Sequence, residues 1–202
     1  MIAIADYGMG NLGSVQKALA YVGGEAVITS NPADIVAAEA VVLPGVGAFD
    51  DCMIGLREHG LIRPILDAIE AGKPFLGICL GLQVLFERSE EGSQPGLGLF
   101  HGEVIRFRCD LKIPQIGWNQ IHIRARSPHL QGVEDGAWVY FVHSYHVAPR
   151  DESIIATVTE YGYEFVSAVW KDNVFATQFH PEKSQRVGLR ILSNFLSLIQ
   201  QA

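Results

Sequence analysis

The stretch Phe75-Leu76-Gly77-Ile78-Cys79-Leu80-Gly81 constrains this chain more than any other. An apolar, strand-like run ends in G-x-C-x-G and passes directly into helix-like sequence. A turn that sharp leaves no room for side chains beside its apex, so Gly77 and Gly81 read as steric requirements. The form is the cysteine counterpart of the nucleophile elbow. It predicts the Cys79 sulfur at a helix N-terminus, where the helix dipole and free N–H groups favour the reactive thiolate. The N–H of Leu80 would then face an oxyanion. A lone cysteine is more often a small buried hydrophobe, and with both glycines and the strand-to-helix context that reading stands level with the nucleophile. Cys52 and Cys109 lack such a frame and read as packing residues.

A strand-to-helix elbow belongs in an alternating β/α chain, and the first half reads that way. Ile2–Ala5 is a short strand, followed by a turn at Asn11–Gly13. A helix N-capped by Ser14 follows, with Val15, Ala18, Leu19 and Val22 on one face and Gly23 as its stop. Ala26–Thr29 and Val41–Leu43 are further strands, Asp51–Glu70 is largely helical, Pro74–Ile78 is a strand and Leu80–Glu87 starts a helix. The second half is richer in strands: His101–Phe107, Gln120–Ile123, Val139–Val147, Ile154–Val158, Phe165–Trp170 and Val174–Phe179. Asp172-Asn173 marks a hairpin turn. Val187, Ile191, Phe195 and Ile199, with Leu192 and Leu196 beside them, close the chain as an amphipathic helix. The expected fold is therefore α/β. It has a flavodoxin-like or Rossmann-like, mostly parallel central sheet flanked by helices, with antiparallel strands added in the C-terminal half. With 202 residues and no linker or repeat, one domain over 1–202 is expected.

Composition narrows the function. Hydrophobic residues make up 49% and charged residues 18%, enough apolar material for a sizeable core. The formal net charge of -7, with no basic cluster, argues against a nucleic-acid partner. Three scattered cysteines without a CxxC pair argue against a disulfide scaffold or zinc cluster and for a reducing compartment. The N-terminus carries no secretory pattern, and the longest apolar run, Pro74 to Phe86, is broken by Gln83 and too short for a bilayer. A cytoplasmic protein without membrane association or cofactor is expected.

The chemistry should sit just beyond the carboxyl ends of the strands. Phe179-His180-Pro181-Glu182 follows one. Residues two apart on a strand share a face, so His180 and Glu182 are expected to point together, with Glu182 orienting the imidazole as base for Cys79. A surface His beside a Glu is the alternative. A metal site using His143, His146 and His180 is disfavoured, because three-residue spacing in a strand puts His143 and His146 on opposite faces and no carboxylate or cysteine cluster accompanies them. Val41–Phe49 is a strand entering a Gly-rich turn, where an N–H of Val46 or Gly47 would complete an oxyanion hole with Leu80. An ordinary tight turn is the other reading. Gln83, one helical turn beyond Cys79, could bind a polar substrate group or be an exposed helix residue.

Together Pro44–Gly47, Gly77–Gln83 and His180–Glu182, in this order over nearly the whole chain, resemble the class I, triad-type glutamine amidotransferases. Asp6–Leu12, Pro44–Phe49, Ile116–Asn119, His143–His146 and His180–Ser184 are similar to the corresponding segments of the glutaminase subunits of imidazole glycerol phosphate synthases. The resemblance implies that L-glutamine forms a thioester on Cys79, that ammonia is released and that water then frees glutamate. It further implies that ammonia passes to a separate (βα)8-barrel cyclase subunit. That subunit makes imidazole glycerol phosphate and an aminoimidazole carboxamide ribotide in histidine biosynthesis. It places Gly47, Gln83 and the backbone of His143, Ser144 and Tyr145 around glutamine, and Asn11, Trp118, Tyr140 and Lys183 at the cyclase interface. Without it, Trp118 and Tyr140 read as core aromatics, Lys183 as a solvated cation and Asn11 as a turn former. Rivals are a glutaminase feeding another synthase, such as pyridoxal phosphate synthase, a partner-independent cysteine amidase or peptidase on the same fold, and a non-catalytic module.

Overall fold

A computed structural model describes residues 1–200, so the last two residues of the expected 1–202 span lie outside the described residues. The first half alternates as expected. β1 (Ile2–Ala5), β2 (Ala26–Thr29), β3 (Ala40–Gly45) and β4 (Phe75–Cys79) alternate with α1 (Leu12–Tyr21), α2 (Pro32–Ala37), and the pair α3 (Phe49–Glu58) and α4 (Ile62–Glu70). α5 (Leu80–Gln83), β5 (Phe86–Ser89), β6 (Phe100–Arg106), β7 (Gln115–Ile123), β8 (Ala137–His143), β9 (Tyr145–Pro149), β10 (Ile155–Glu160), β11 (Glu164–Lys171), β12 (Val174–Thr177) and α6 (Gln185–Ile199) follow.

The sheet path runs β2-β1-β3-β4-β12-β11-β10-β7-β8. Its first five strands are parallel, including β12 beside β4. β11, β10, β7 and β8 continue antiparallel. β9 joins β11 to β6, which pairs in parallel with β5. Strand parity divides the core between the two faces. Ala3, Ala5, Val41, Leu43 and Phe75 pack with Leu56 and Ile65 of α3 and α4. Ile2, Ile4, Val42, Leu76, Ile78 and Phe175 pack with Leu19 of α1 and Ile191 and Phe195 of α6. Both faces are covered, as parallel strands require. Among the described residues no helix is long and apolar enough to cross a membrane.

Four local expectations are corrected. α1 starts at Leu12 after an Asn11 cap, and Ser14 lies inside it, because Gly8 and Gly10, both at positive φ, complete the turn earlier. α2 is an added element. Asn31 caps it by accepting the Ala33 N–H, and Pro32 opens it. The helix after Cys79 has only four residues, after which Phe86–Ser89 becomes a strand on β6. Tertiary pairing overrides the helical propensity there. Val139–Val147 is two strands broken at Ser144, so parity resets between His143 and His146. The two imidazoles flank one ring, that of Phe107, at 5.1 and 4.8 Å, rather than facing opposite sides.

Candidate active site

The elbow forms as a strained junction. Cys79 ends β4 and caps α5 at φ 55 and ψ -104, in a region that L-residues rarely occupy. Gly81 permits it, because a Cβ there would lie 1.8 Å from the Leu43 carbonyl oxygen. One at Gly77 would come within 2.7 Å of the Gly81 oxygen. The one-turn α5 supplies far less dipole than a full helix. Side chains therefore do more of the work at the sulfur than the sequence suggested. Gln178 Nε2 lies 3.6 Å from Sγ, and the Val142 carbonyl 4.0 Å.

His180 and Glu182 do meet, at 2.8 Å between Nδ1 and Oε1, and both side chains are buried. The reason differs from strand parity. β12 ends at Thr177, His180 is an extended residue after it, and Glu182 sits in a 3-10 turn, Pro181–Lys183. Ser184 Oγ locks the turn by donating to the His180 carbonyl and accepting the Tyr140 N–H, while the His180 N–H donates to the Tyr140 carbonyl. Gly188 of α6 lets that helix press onto Pro181, where a Cβ would lie 1.8 Å from the carbonyl oxygen. Burial opposes the imidazolium, but the Cys79 sulfur and then Glu182 outweigh it, and the pKa of His180 is pushed up to about 10. The sulfur contact is the looser of the two, since Nε2 has no hydrogen-bond partner of full geometry. An imidazole held charged beside a thiol can protonate a leaving amine.

The ends of β3 and β4 abut, with Gly45 in register with Cys79. Val46, Gly47 (φ 92) and Leu80 thereby line one cavity with Cys79 and His180. The cavity is about 270 Å³ and is completed by Gln83, Glu91, Pro114, Val142, His143, Ser144 and Tyr145. Gln83 is buried rather than an exposed helix residue. Its Nε2 donates to the Tyr145 carbonyl at 3.1 Å and to Gln178 Oε1 at 3.0 Å. Both donors are used, so what Gln83 offers a ligand is its oxygen, an acceptor. Glu91, which accepts the Phe49 N–H at 2.9 Å, is the carboxylate among the lining residues. Sequence reasoning missed Glu91 and Gln178. The run Glu87–Glu91 gives no hint of which acid turns inward, but a Gln amid the apolar Val174–Phe179 run was a usable signal.

The metal rival loses its geometry. His143 contacts the Tyr145 carbonyl and the Gln115 amide, both at 2.8 Å, while His146 contacts the Tyr163 hydroxyl at 2.8 Å. Burial pushes His143 down to about 3. Trp118, Tyr140 and Lys183 cluster on one face: the Trp118 and Tyr140 rings are 6.0 Å apart, and Lys183 Nζ stands 5.9 Å over Tyr140. Trp118 is exposed and Tyr140 only partly covered, so neither is a core aromatic. Asn11 lines a crevice with Gly45, Val46, His180 and Glu182, the residue before Lys183.

The family model for glutamine amidotransferase class-I matches residues 3–198. The chain belongs to the class I glutamine amidotransferases, in the HisH family. A relative named imidazole glycerol phosphate synthase subunit HisH, from Syntrophotalea carbinolica, is 56% identical, covering 96% of this chain and 98% of its own. One of the same name from Geobacter sulfurreducens is also 56% identical, covering 96% and 97%. A crystal structure of a glutamine amidotransferase superposes with a TM-score of 0.78 at 20% identity, covering 98% of both chains, a likeness of fold. These relatives make this class I amidotransferase a glutaminase subunit of imidazole glycerol phosphate synthase, acting in histidine biosynthesis. They do not favour a glutaminase of another synthase, a free-standing peptidase or a non-catalytic module.

Proposed function

We propose that Cys79 is the nucleophile of this glutaminase, His180 its acid and base, and Glu182 the orienter of His180. The carrying observation is the convergence of residues a hundred positions apart, Cys79 and the His180–Glu182 pair, in one cavity with Val46, Gly47 and Leu80. The Cys79 thiolate attacks the side-chain amide carbon of glutamine. Backbone N–H groups at Val46 or Gly47 and at Leu80 take up the charge on the oxygen. The tetrahedral adduct collapses as His180 gives its proton to the departing nitrogen, leaving a thioester and ammonia. His180 then takes a proton from water, the hydroxide displaces sulfur, and glutamate leaves. Glutamine and water become glutamate and ammonia.

The substrate's α-ammonium fits the Glu91 carboxylate and the free oxygen of Gln83, and the break in pairing at His143–Tyr145 offers backbone groups to its carboxylate. The chain acts as one domain in the cytoplasm, beside a (βα)8-barrel cyclase subunit docked at Trp118, Tyr140, Lys183 and Asn11. Ammonia released into water would be protonated and lost, so it passes directly to that subunit, which forms imidazole glycerol phosphate and aminoimidazole carboxamide ribotide. Reorientation of a peptide at Gly45-Val46 on docking completes the oxyanion hole.

The test combines the chain with the cyclase and follows glutamate and imidazole glycerol phosphate together. Glutamine-dependent synthesis that survives Cys79→Ala would sink the mechanism. Equal glutaminase turnover with and without the cyclase would sink the activation.

A further inference from the structure

Resting on the reading of Cys79 as nucleophile, the hydrogen-bond geometry points to Gln178 as a positioning residue: its side-chain N–H donates to the Cys79 sulfur and stabilises the thiolate. The direction of this bond follows from a chain of forced choices. The Tyr145 carbonyl can only accept, so Gln83 must turn its NH2 group toward it. That same NH2 group meets Gln178 at 3.0 Å, so Gln178 must answer with its oxygen. With Oε1 committed, the NH2 group of Gln178 is left facing Sγ at 3.6 Å. Reversing the Gln178 amide would set NH2 against NH2 at one end and an oxygen against the sulfur at the other. Gln178 is fully buried, so water cannot repair either mismatch.

The donor is thus aimed at sulfur before any substrate arrives. It also lies just after β12, which pairs with the strand that bears Cys79, so the sulfur is held from outside its own strained turn. The same amide chain joins the glutamine-binding wall at Gln83 to the nucleophile. The titratable groups facing the sulfur are His180, from the segment after β12, and Tyr7, from the segment after β1. Glu182 stands behind His180, and Glu91 lines the shared cavity. Among these neighbours Gln178 is a neutral donor whose orientation is fixed by its bond to Gln83.

The test uses the full chain, alone for alkylation and with its synthase partner for turnover. Iodoacetamide modification of Cys79 is followed against pH by peptide mass. Cys52, which burial pushes up to about 12, and Cys109 are read as separate peptides. For Gln178→Met, the pH midpoint of Cys79 alkylation is expected to rise by about one unit relative to the parent, and kcat at neutral pH to fall about tenfold, with KM for glutamine changing less than about threefold. An unchanged midpoint and kcat, or a rise in KM alone, would overturn the assignment, since a merely structural amide would not move the alkylation profile. Gln178→Glu keeps the shape and guards against a misfolded Met variant. Its ionised carboxylate would repel the thiolate, and its protonated form would donate again. The deficit in Gln178→Glu should therefore shrink, relative to the parent, as pH falls; a pH-independent deficit overturns the proposal. Cys79→Ala separates the two readings. Residual hydrolysis there removes the nucleophile itself, whereas its loss together with an unaffected Gln178→Met removes only the role of Gln178.

Discussion

His129 and His180 are hidden from solvent to the same degree, at 1% and 2% exposure, yet they titrate in opposite directions. His129 lies under α6, stacked on Phe175 at 4.4 Å with an interplanar angle of 4°, and neither ring nitrogen has a partner. Burial alone acts on it and pushes it down to about 4. His180 suffers the same burial, but the sulfur of Cys79 and the Glu182 carboxylate reverse its sign and carry it to about 10. A buried imidazole is thus a neutral aromatic ring by default, and becomes a stored proton only where charge partners are supplied.

The largest expected effect removes one of those partners. Cys79→Ala should lower glutamine hydrolysis by at least roughly 10⁴-fold while ammonia-dependent synthesis by the complex persists. It should also lower the His180 midpoint, read by NMR titration; an unchanged midpoint would show that sulfur has no part in the difference between the two histidines. His180→Ala should reduce turnover by about 10²–10⁴-fold, the usual contribution of a positioned acid and base, and steady-state kinetics of the complex measures it.

Glu182→Gln should be milder, because both reacting groups remain. Loss of the opposite charge should drop the His180 midpoint by about one to three units. The pairing raises the folded-state pKa, so its stabilisation is complete below about 6.5 and is lost as pH climbs through about 10. Denaturant midpoints of the parent should therefore decline over that window, and those of Glu182→Gln should decline less. Parallel curves would refute the share that Glu182 takes, after the Cys79 sulfur, in the raised pKa.

The smallest effect lies at His129. Its folded-state pKa is depressed, so the unfolded chain takes up a proton first, and stability falls as pH drops from about 6.5 to about 4. At about 1.4 kcal/mol per unit the loss is about 3 kcal/mol, to order of magnitude. His129→Phe, which keeps the stack on Phe175, should flatten this acid limb without altering glutaminase turnover at neutral pH. A retained acid limb would shift the cause to His143, also depressed by burial.

Much of this architecture was legible without coordinates. Alternating β-branched and amphipathic segments implied parallel strands with helices on both faces, because a strand that is apolar throughout must be covered twice. Gly77 and Gly81 framed Cys79 because a sharp turn excludes side chains, which is a local requirement and so is written locally. Boundaries governed by distant partners were less legible. Leu80–Glu87 looks helical by composition, yet Phe86 pairs with Phe100. His143 and His146 look like opposite faces of one strand until Ser144 breaks it.

The amino-acid sequence by itself determined the elbow, the candidate cysteine, histidine and glutamate, and the class of sheet that carries them, since each follows from local sterics or periodicity. Only the tertiary structure decided the charge and aim of those groups. Which acid turns into the cavity and which glutamine points its N–H at sulfur depend on segments far apart in the chain being packed side by side. Electrostatic energy and hydrogen-bond direction vary with distance in space, which spacing along the chain does not encode.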